Sequence, residues 1–279
     1  MTLAVVVRGG FGVVGESGQG GAEQCEWGGD VIKEKTVNVV LVWDLPTRLF
    51  HWLLSAGFIA AAVISLAMGE HSPLFPFHAI IGLTIAFMIL LRVVWGFVGT
   101  RYARFGSFLF GPAALAEYLK GALLGGGRRH VGHNPGSAVA IFALLALILA
   151  LAATGFLMGR GNEAAKEVHE VLAWAAVGVV IVHLLGVAFH TIRHRENITA
   201  SMIHGRKIAE PSDAIVSGRP IAAAAFLLLA GGWAFALARN YDPATQTTTL
   251  PMLGTPLQLG ENEGGAGGED REEHGEDDD

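Results

Sequence analysis

The sequence predicts an all-α transmembrane bundle, four helices with an additional fifth on the C-terminal side. Three observations carry this prediction. Apolar residues make up 52% of the 279 and charged residues only 16%, with a mean hydropathy of +0.46, whereas a soluble domain carries about 25% Asp, Glu, Lys and Arg. Five stretches lack any formal charge, each of 19 to 23 residues, and about 20 helical residues cross a hydrocarbon core. Lys and Arg alternate between the connections, fourteen on one side and four on the other with Arg92 at the end of the second span set aside, as the positive-inside rule expects. A soluble enzyme of ordinary composition and a disordered chain are excluded, and a net charge of −6 speaks against a nucleic-acid binder.

That charge is uneven. Residues 261–279 hold ten acidic residues and one basic, Arg271, so the remaining chain is mildly basic at +3. The lone cysteine, Cys25, leaves no route to an internal disulfide, a cysteine-bound cluster or covalently attached haem.

Residues 1–30 contain nine glycines and no sustained periodicity, so 1–40 reads as a flexible segment. The first span is Leu49–Gly69, opened by Asp44-Leu45-Pro46 with proline near the first helical position. The second is Ser72–Leu91. The third, Ser137–Gly159, is opened in the same way by Asn134-Pro135. The fourth is Val171–Phe189, and these four form one unit over 41–210. The fifth, Pro220–Ala238, lies in an additional segment, 219–239, followed by an acidic tail over 240–279 that reads as disordered. Trp43, Trp52, Trp95 and Trp174 fall near span ends, where an interfacial aromatic belt belongs. The charge asymmetry places the N-terminus in the cytoplasm, and the tail, if the fifth span crosses, on the periplasmic side.

The histidines carry the chemistry. Ionisable side chains at membrane depth are costly and point to function. His51 lies early in the first span and His78 early in the second; the fourth carries His169, His183 and His190. His169 and His183 are 14 residues apart, about 21 Å of rise and close to four turns, so they share a face at opposite depths. With the topology applied, His51 pairs with His183 near the inner surface and His78 with His169 near the outer. Two levels of paired imidazoles suit two bis-histidine haems of the b type, whose iron takes two axial side chains. A lone buried histidine is as often a packing residue, and His190 carries both readings, including that of a substitute for His183. Gly82 and Gly186 lie on the faces of His78 and His183 and give weak support, since glycine is common in such helices. Arg48, one turn before His51, reads either as a partner of a haem propionate or as a membrane anchor. Arg92 carries the same two readings.

The stretch from Asp44 through Pro46, Arg48 and His51 to Trp52 resembles the first helix of the bacterial cytochrome b561 and nickel–iron hydrogenase b-type cytochrome family. His78 with Gly82, and Arg92 to Gly99, are similar to its second helix and exit. Gly132-His133-Asn134-Pro135 with Thr154-Gly155 resembles its third, and His169-Glu170, His183 and His194-Arg195-Glu196-Asn197 resemble its fourth and the loop beyond. The resemblance covers about residues 42–207. It implies a four-helix haem-binding bundle in the bacterial inner membrane that passes electrons between quinone or quinol and a peripheral or periplasmic redox protein. It also implies His51, His78, His169 and His183 as axial ligands. A quinone pocket is expected near one haem, with His133, Asn134 or Arg92 as candidates.

Two rival classes remain. A divalent-metal transporter would use intramembrane histidines, yet the spans lack internal Asp and Glu apart from Glu170 at a mouth. A membrane anchor for a peripheral enzyme complex would dock through the acidic tail, which as a charge run reads more simply as solvated.

Overall fold

The computed structural model describes residues 38–124 and 130–260. The glycine-rich segment up to residue 37 and the acidic residues from 261 onward, both expected to be flexible, lie outside the described residues.

The chain is mostly helical, with strand β1 (Asn38–Leu41), α1 (Leu45–Val63), α2 (Phe75–Val98), α3 (Pro112–Leu124), α4 (Pro135–Met158), α5 (Ala164–His194), α6 (Ile198–His204), β2 (Arg206–Ala209), α7 (Pro220–Arg239), β3 (Thr247–Thr249) and β4 (Pro256–Gln258). Among the described residues five helices are long and apolar enough to cross a membrane: Leu45–Met68, Phe75–Val98, Pro135–Met158, Ala164–Arg193 and Pro220–Arg239. Each contains a predicted span or nearly all of it, and most run past it by several residues, because backbone hydrogen bonding continues into the interface where charged side chains are tolerated.

The helix starts follow from local chemistry. Asp44 caps α1 by accepting from the Thr47 amide, and Asn134 caps α4 by accepting from the Ser137 amide. In both helices a proline occupies the first turn, where its missing N–H is no loss. α1 ends in a π-helical turn, Ile64–Met68, before Gly69.

α1 pairs with α2, α2 also meets α4, and α7 lies over α1 and α2. The core between them is Phe50, Ile85, Met88, Ile89, Leu145, Ile148, Phe226 and Ala230. α5 packs along α4 and makes no extensive contact with α1 or α2 among the described residues. Its outward face presents Val171, Trp174, Val182, Leu185 and Ile192. Such an apolar face is at home in lipid, where association rests on close packing rather than on escape from water.

Both bundle ends are closed by short strands. At the end where α1 begins, β1 pairs antiparallel with β2, Asn38 opposite Ala209, over a cluster of Val40, Val42, Trp43, Tyr102, Ala209 and Ile215. Gly205 closes α6 in the left-handed region at φ 80°. A Cβ there would lie 2.8 Å from the Trp43 carbonyl oxygen, so both conformation and space require glycine. The strand at 38–41 trims the flexible segment expected over 1–40.

At the other end the expectation of a disordered tail over 240–279 is corrected for its first twenty residues. β3 and β4 form an antiparallel hairpin with Thr248 opposite Leu257. Leu250, Leu257 and Leu259 are buried with Ile80 and Leu237, and the Gln258 amide donates to the Gly159 carbonyl. The run of β-branched Thr247–Thr249 favours the extended backbone, and three leucines at the right spacing give it an apolar side to bury.

Candidate functional site

His78 and His169 approach each other at the hairpin end of the bundle, their ring centroids 6.3 Å apart and their planes inclined by 69°. Nδ1 of His78 lies 2.9 Å from the carbonyl oxygen of Ala61. A carbonyl only accepts, so Nδ1 carries the proton and Nε2 keeps its lone pair. Ala61 sits three residues before the π-helical turn of α1, an irregularity often found at functional sites. Nδ1 of His169 lies 2.9 Å from the Thr154 hydroxyl. That hydroxyl directs its single proton toward the carbonyls of Ala150 and Leu151, 3.0 Å from each. It therefore accepts from His169, and here too Nε2 is left with its lone pair. Phe75 stacks on His78 at 5.5 Å and fixes the ring plane.

A metal bound by two imidazoles lies about 2 Å from each nitrogen, and each ring adds its own radius. A centroid spacing of 6.3 Å is what two rings on either side of one metal atom span. Metal-bound histidines also hand their other N–H to a carbonyl or a similar acceptor, as both residues do. The donor pair therefore fits a metal with two axial imidazoles. Among the described residues there is no group of three or more His, Cys, Asp or Glu side chains placed to hold a metal ion.

At the opposite end His51 and His183 are near enough to interact electrostatically. They project from α1 and α5, which do not pack on each other extensively. Nδ1 of His51 is buried with no hydrogen-bond partner, and the ring meets Trp52 edge-on at 5.1 Å. Side chains added at Gly82, Gly178 or Gly186 would meet nothing within 4 Å, so these helix faces leave room for a flat group to lie close to the backbone.

Arg48 directs its Nε to the Met202 carbonyl at 3.3 Å, which the Trp52 indole also reaches at 3.1 Å. Its guanidinium therefore ties α1 to the end of α6, where a cation meets the negative pole of the helix. Asn134 spends its side-chain oxygen on the α4 cap. His133 and Arg92 lie deeper. The His133 ring sits between Trp43 at 4.7 Å and Phe108 at 4.4 Å. Burial first, then the charges of Arg92, Lys207 and His51, push its pKa down to about 3, so its imidazole is neutral at physiological pH. Lys207 is almost buried beside Glu196, with Nζ 5.8 Å from the Trp43 ring centre. Only the pairing of β1 with β2 brings it there, and no local pattern signals that.

The family model of prokaryotic cytochrome b561 matches residues 42–205, more than half of the chain. This chain belongs to that family. As a membrane b-type cytochrome it takes haem b as its cofactor. It is similar to the probable nickel–iron hydrogenase b-type cytochrome subunit of Rhizobium leguminosarum, 24% identical over 214 residues, covering 61% of this chain and 89% of the relative. The protein of the same description from Bradyrhizobium diazoefficiens is 26% identical over 213 residues, covering 60% and 85%. That of hydrogenase 1 in Escherichia coli K12 is 25% identical over 150 residues, covering 45% and 63%. No solved structure matches the cytochrome. The matched region spans α1 to α6 and leaves α7 and the hairpin outside it.

Proposed function

We propose that this cytochrome carries electrons between the quinone pool and a peripheral redox protein through two haems, one held by His78 and His169 and the other by His51 and His183. The observation that carries the reading is the first pair: two imidazoles on different helices, at metal-bridging separation, each with Nδ1 occupied and Nε2 available. The second pair is supported by the proximity of His51 to His183.

Haem held by these histidines would supply one-electron chemistry. The chain's own contribution is orientation and environment. Ala61 and Thr154 set the tautomers of His78 and His169, and α4 carries α5 at the spacing the rings require. The apolar bundle keeps water from the buried groups. The excess of Lys and Arg on one side supports a cytoplasmic His51 end and a periplasmic hairpin in the bacterial inner membrane. A peripheral partner like those implied by the relatives' hydrogenase names would then meet the His78 end, where α7 and the hairpin add a surface outside the matched region.

The test is a dithionite-reduced minus oxidised spectrum of the purified protein with haem quantified per chain. Two b-type haems per chain are expected, with oxidation of the reduced protein by a soluble quinone. His78→Ala or His169→Ala should remove one haem and leave the other; retention of two haems in both variants would contradict the pairing.

A further inference from the structure

Behind His51 lies a buried group of cations and polar nitrogens without enough acceptors. Arg92 is 4% exposed. Its Nη2 donates to the Ala103 carbonyl at 3.1 Å and its guanidinium carbon lies 5.2 Å from the Phe105 ring centre, but Nη1 is buried with no partner. Asp44 is near enough for its charge to be felt, yet its oxygens are engaged elsewhere. Oδ1 accepts from the Thr47 amide at 2.9 Å, and Oδ2 from the Trp95 indole at 3.1 Å and the Thr100 hydroxyl at 2.6 Å. Nδ1 of His133 is likewise buried and without a partner, and His133 interacts electrostatically with Arg92, Lys207 and His51.

An unmatched buried guanidinium nitrogen is expensive, and native proteins rarely keep one without an acceptor. Phe105 holds Arg92 in place: its ring packs so closely on Gly96, one helical turn beyond Arg92, that a Cβ at Gly96 would collide with it. Among the described residues no acceptor reaches either nitrogen.

We infer that Arg92 and His133 form a buried carboxylate socket that takes a propionate of the haem at the His51 end. The inference rests on the function proposed above, which puts a haem beside His51. A carboxylate accepts from Nη1 of Arg92 and from a ring N–H of His133 at once, and charge-assisted bonds of this kind are the strong ones. Lys207 adds positive potential at His133. The same residues would also attract a lipid phosphate, the other oxyanion at that depth.

The experiment uses the detergent-solubilised full chain in a His78→Ala background, where the haem at the His51 end is alone. Redox titration and haem transfer to excess apomyoglobin are measured for Arg92→Gln, Arg92→Lys and His133→Phe. Arg92→Gln should lower the midpoint potential, since a cation that opposed the oxidised form is gone, and should speed haem loss by on the order of tenfold or more. Arg92→Lys should keep most of the potential but lose haem faster than the parent, because an ammonium lacks the planar fork. His133→Phe should lose haem faster with little change in potential. If Arg92→Gln does not accumulate, the lysine and phenylalanine variants decide. Unchanged potential and haem loss in all variants would overturn the socket, as would loss of a bound anionic phospholipid with the haem unaffected. Otherwise native protein with only one haem, assigned to His78 and His169, would overturn the function reading first and the socket with it.

Discussion

Nδ1 of His169 on α5 lies 2.9 Å from the Thr154 hydroxyl on α4, and the geometry of that hydroxyl's own bonds makes it the acceptor. A residue with no metal-binding capacity of its own thus decides which nitrogen of His169 is available. Thr154→Val keeps the shape and removes the acceptor. Haem affinity at that end should fall by about 10- to 100-fold, read as haem retained per chain after dilution, and the midpoint potential of that haem should rise as the imidazole becomes a poorer donor. Thr154→Ser should restore both.

Asp44 couples three segments through one carboxylate: the first turn of α1, Trp95 near the end of α2, and Thr100 in the loop beyond. Asp44→Ala removes a helix cap and strands two half-buried donors. A loss of about 2–4 kcal/mol is expected, measured by thermal unfolding in detergent. Asp44→Asn should recover the cap and part of the loss.

Gly205→Ala meets two penalties together, a left-handed backbone and a Cβ 2.8 Å from the Trp43 carbonyl. The conformation alone costs about 1–2 kcal/mol. The variant should unfold at lower temperature and open the β1–β2 end to proteases; an unchanged digestion pattern would contradict the packing described.

Leu257 is 2% exposed in the hairpin cluster. Leu257→Ala should cost about 2–4 kcal/mol, seen as faster cleavage within 240–260 while the spans stay protected.

The Lys166 ammonium lies 2.7 Å from Glu70 and joins the first turn of α5 to the α1–α2 connection, yet both side chains are well exposed, at 43% and 39%. A double-mutant cycle on this pair should give no more than about 1 kcal/mol, diminishing with added salt.

The spans and the four histidines were legible because hydropathy and helical spacing are local properties, and Asp44-Leu45-Pro46 and Asn134-Pro135 announce helix starts by chemistry within a few residues. The same locality explains what escaped. Residues 241–260 carry short, mixed polar and apolar runs, and their leucines gain meaning only against Ile80 and Leu237, remote in sequence. Arg48 lies one turn from His51 on a helix, but Met202, which claims its Nε, is 154 residues away. Arg92 and His133 were singled out as possible partners of haem or quinone. That each leaves a buried nitrogen unmatched depends on Ala103, Phe105 and Phe108 folding back over the end of α2.

The register of Asn38 with Ala209 has a consequence for the order of biosynthesis. A ribosome delivers the N-terminal strand long before its partner, so β1 waits without a mate while α1 to α5 enter the bilayer. The His51 end closes only after α6 and β2 have emerged, whereas α7 and the hairpin seal the opposite end later still. Each end therefore stays open through most of synthesis, and the two ends close in a fixed order set by the sequence.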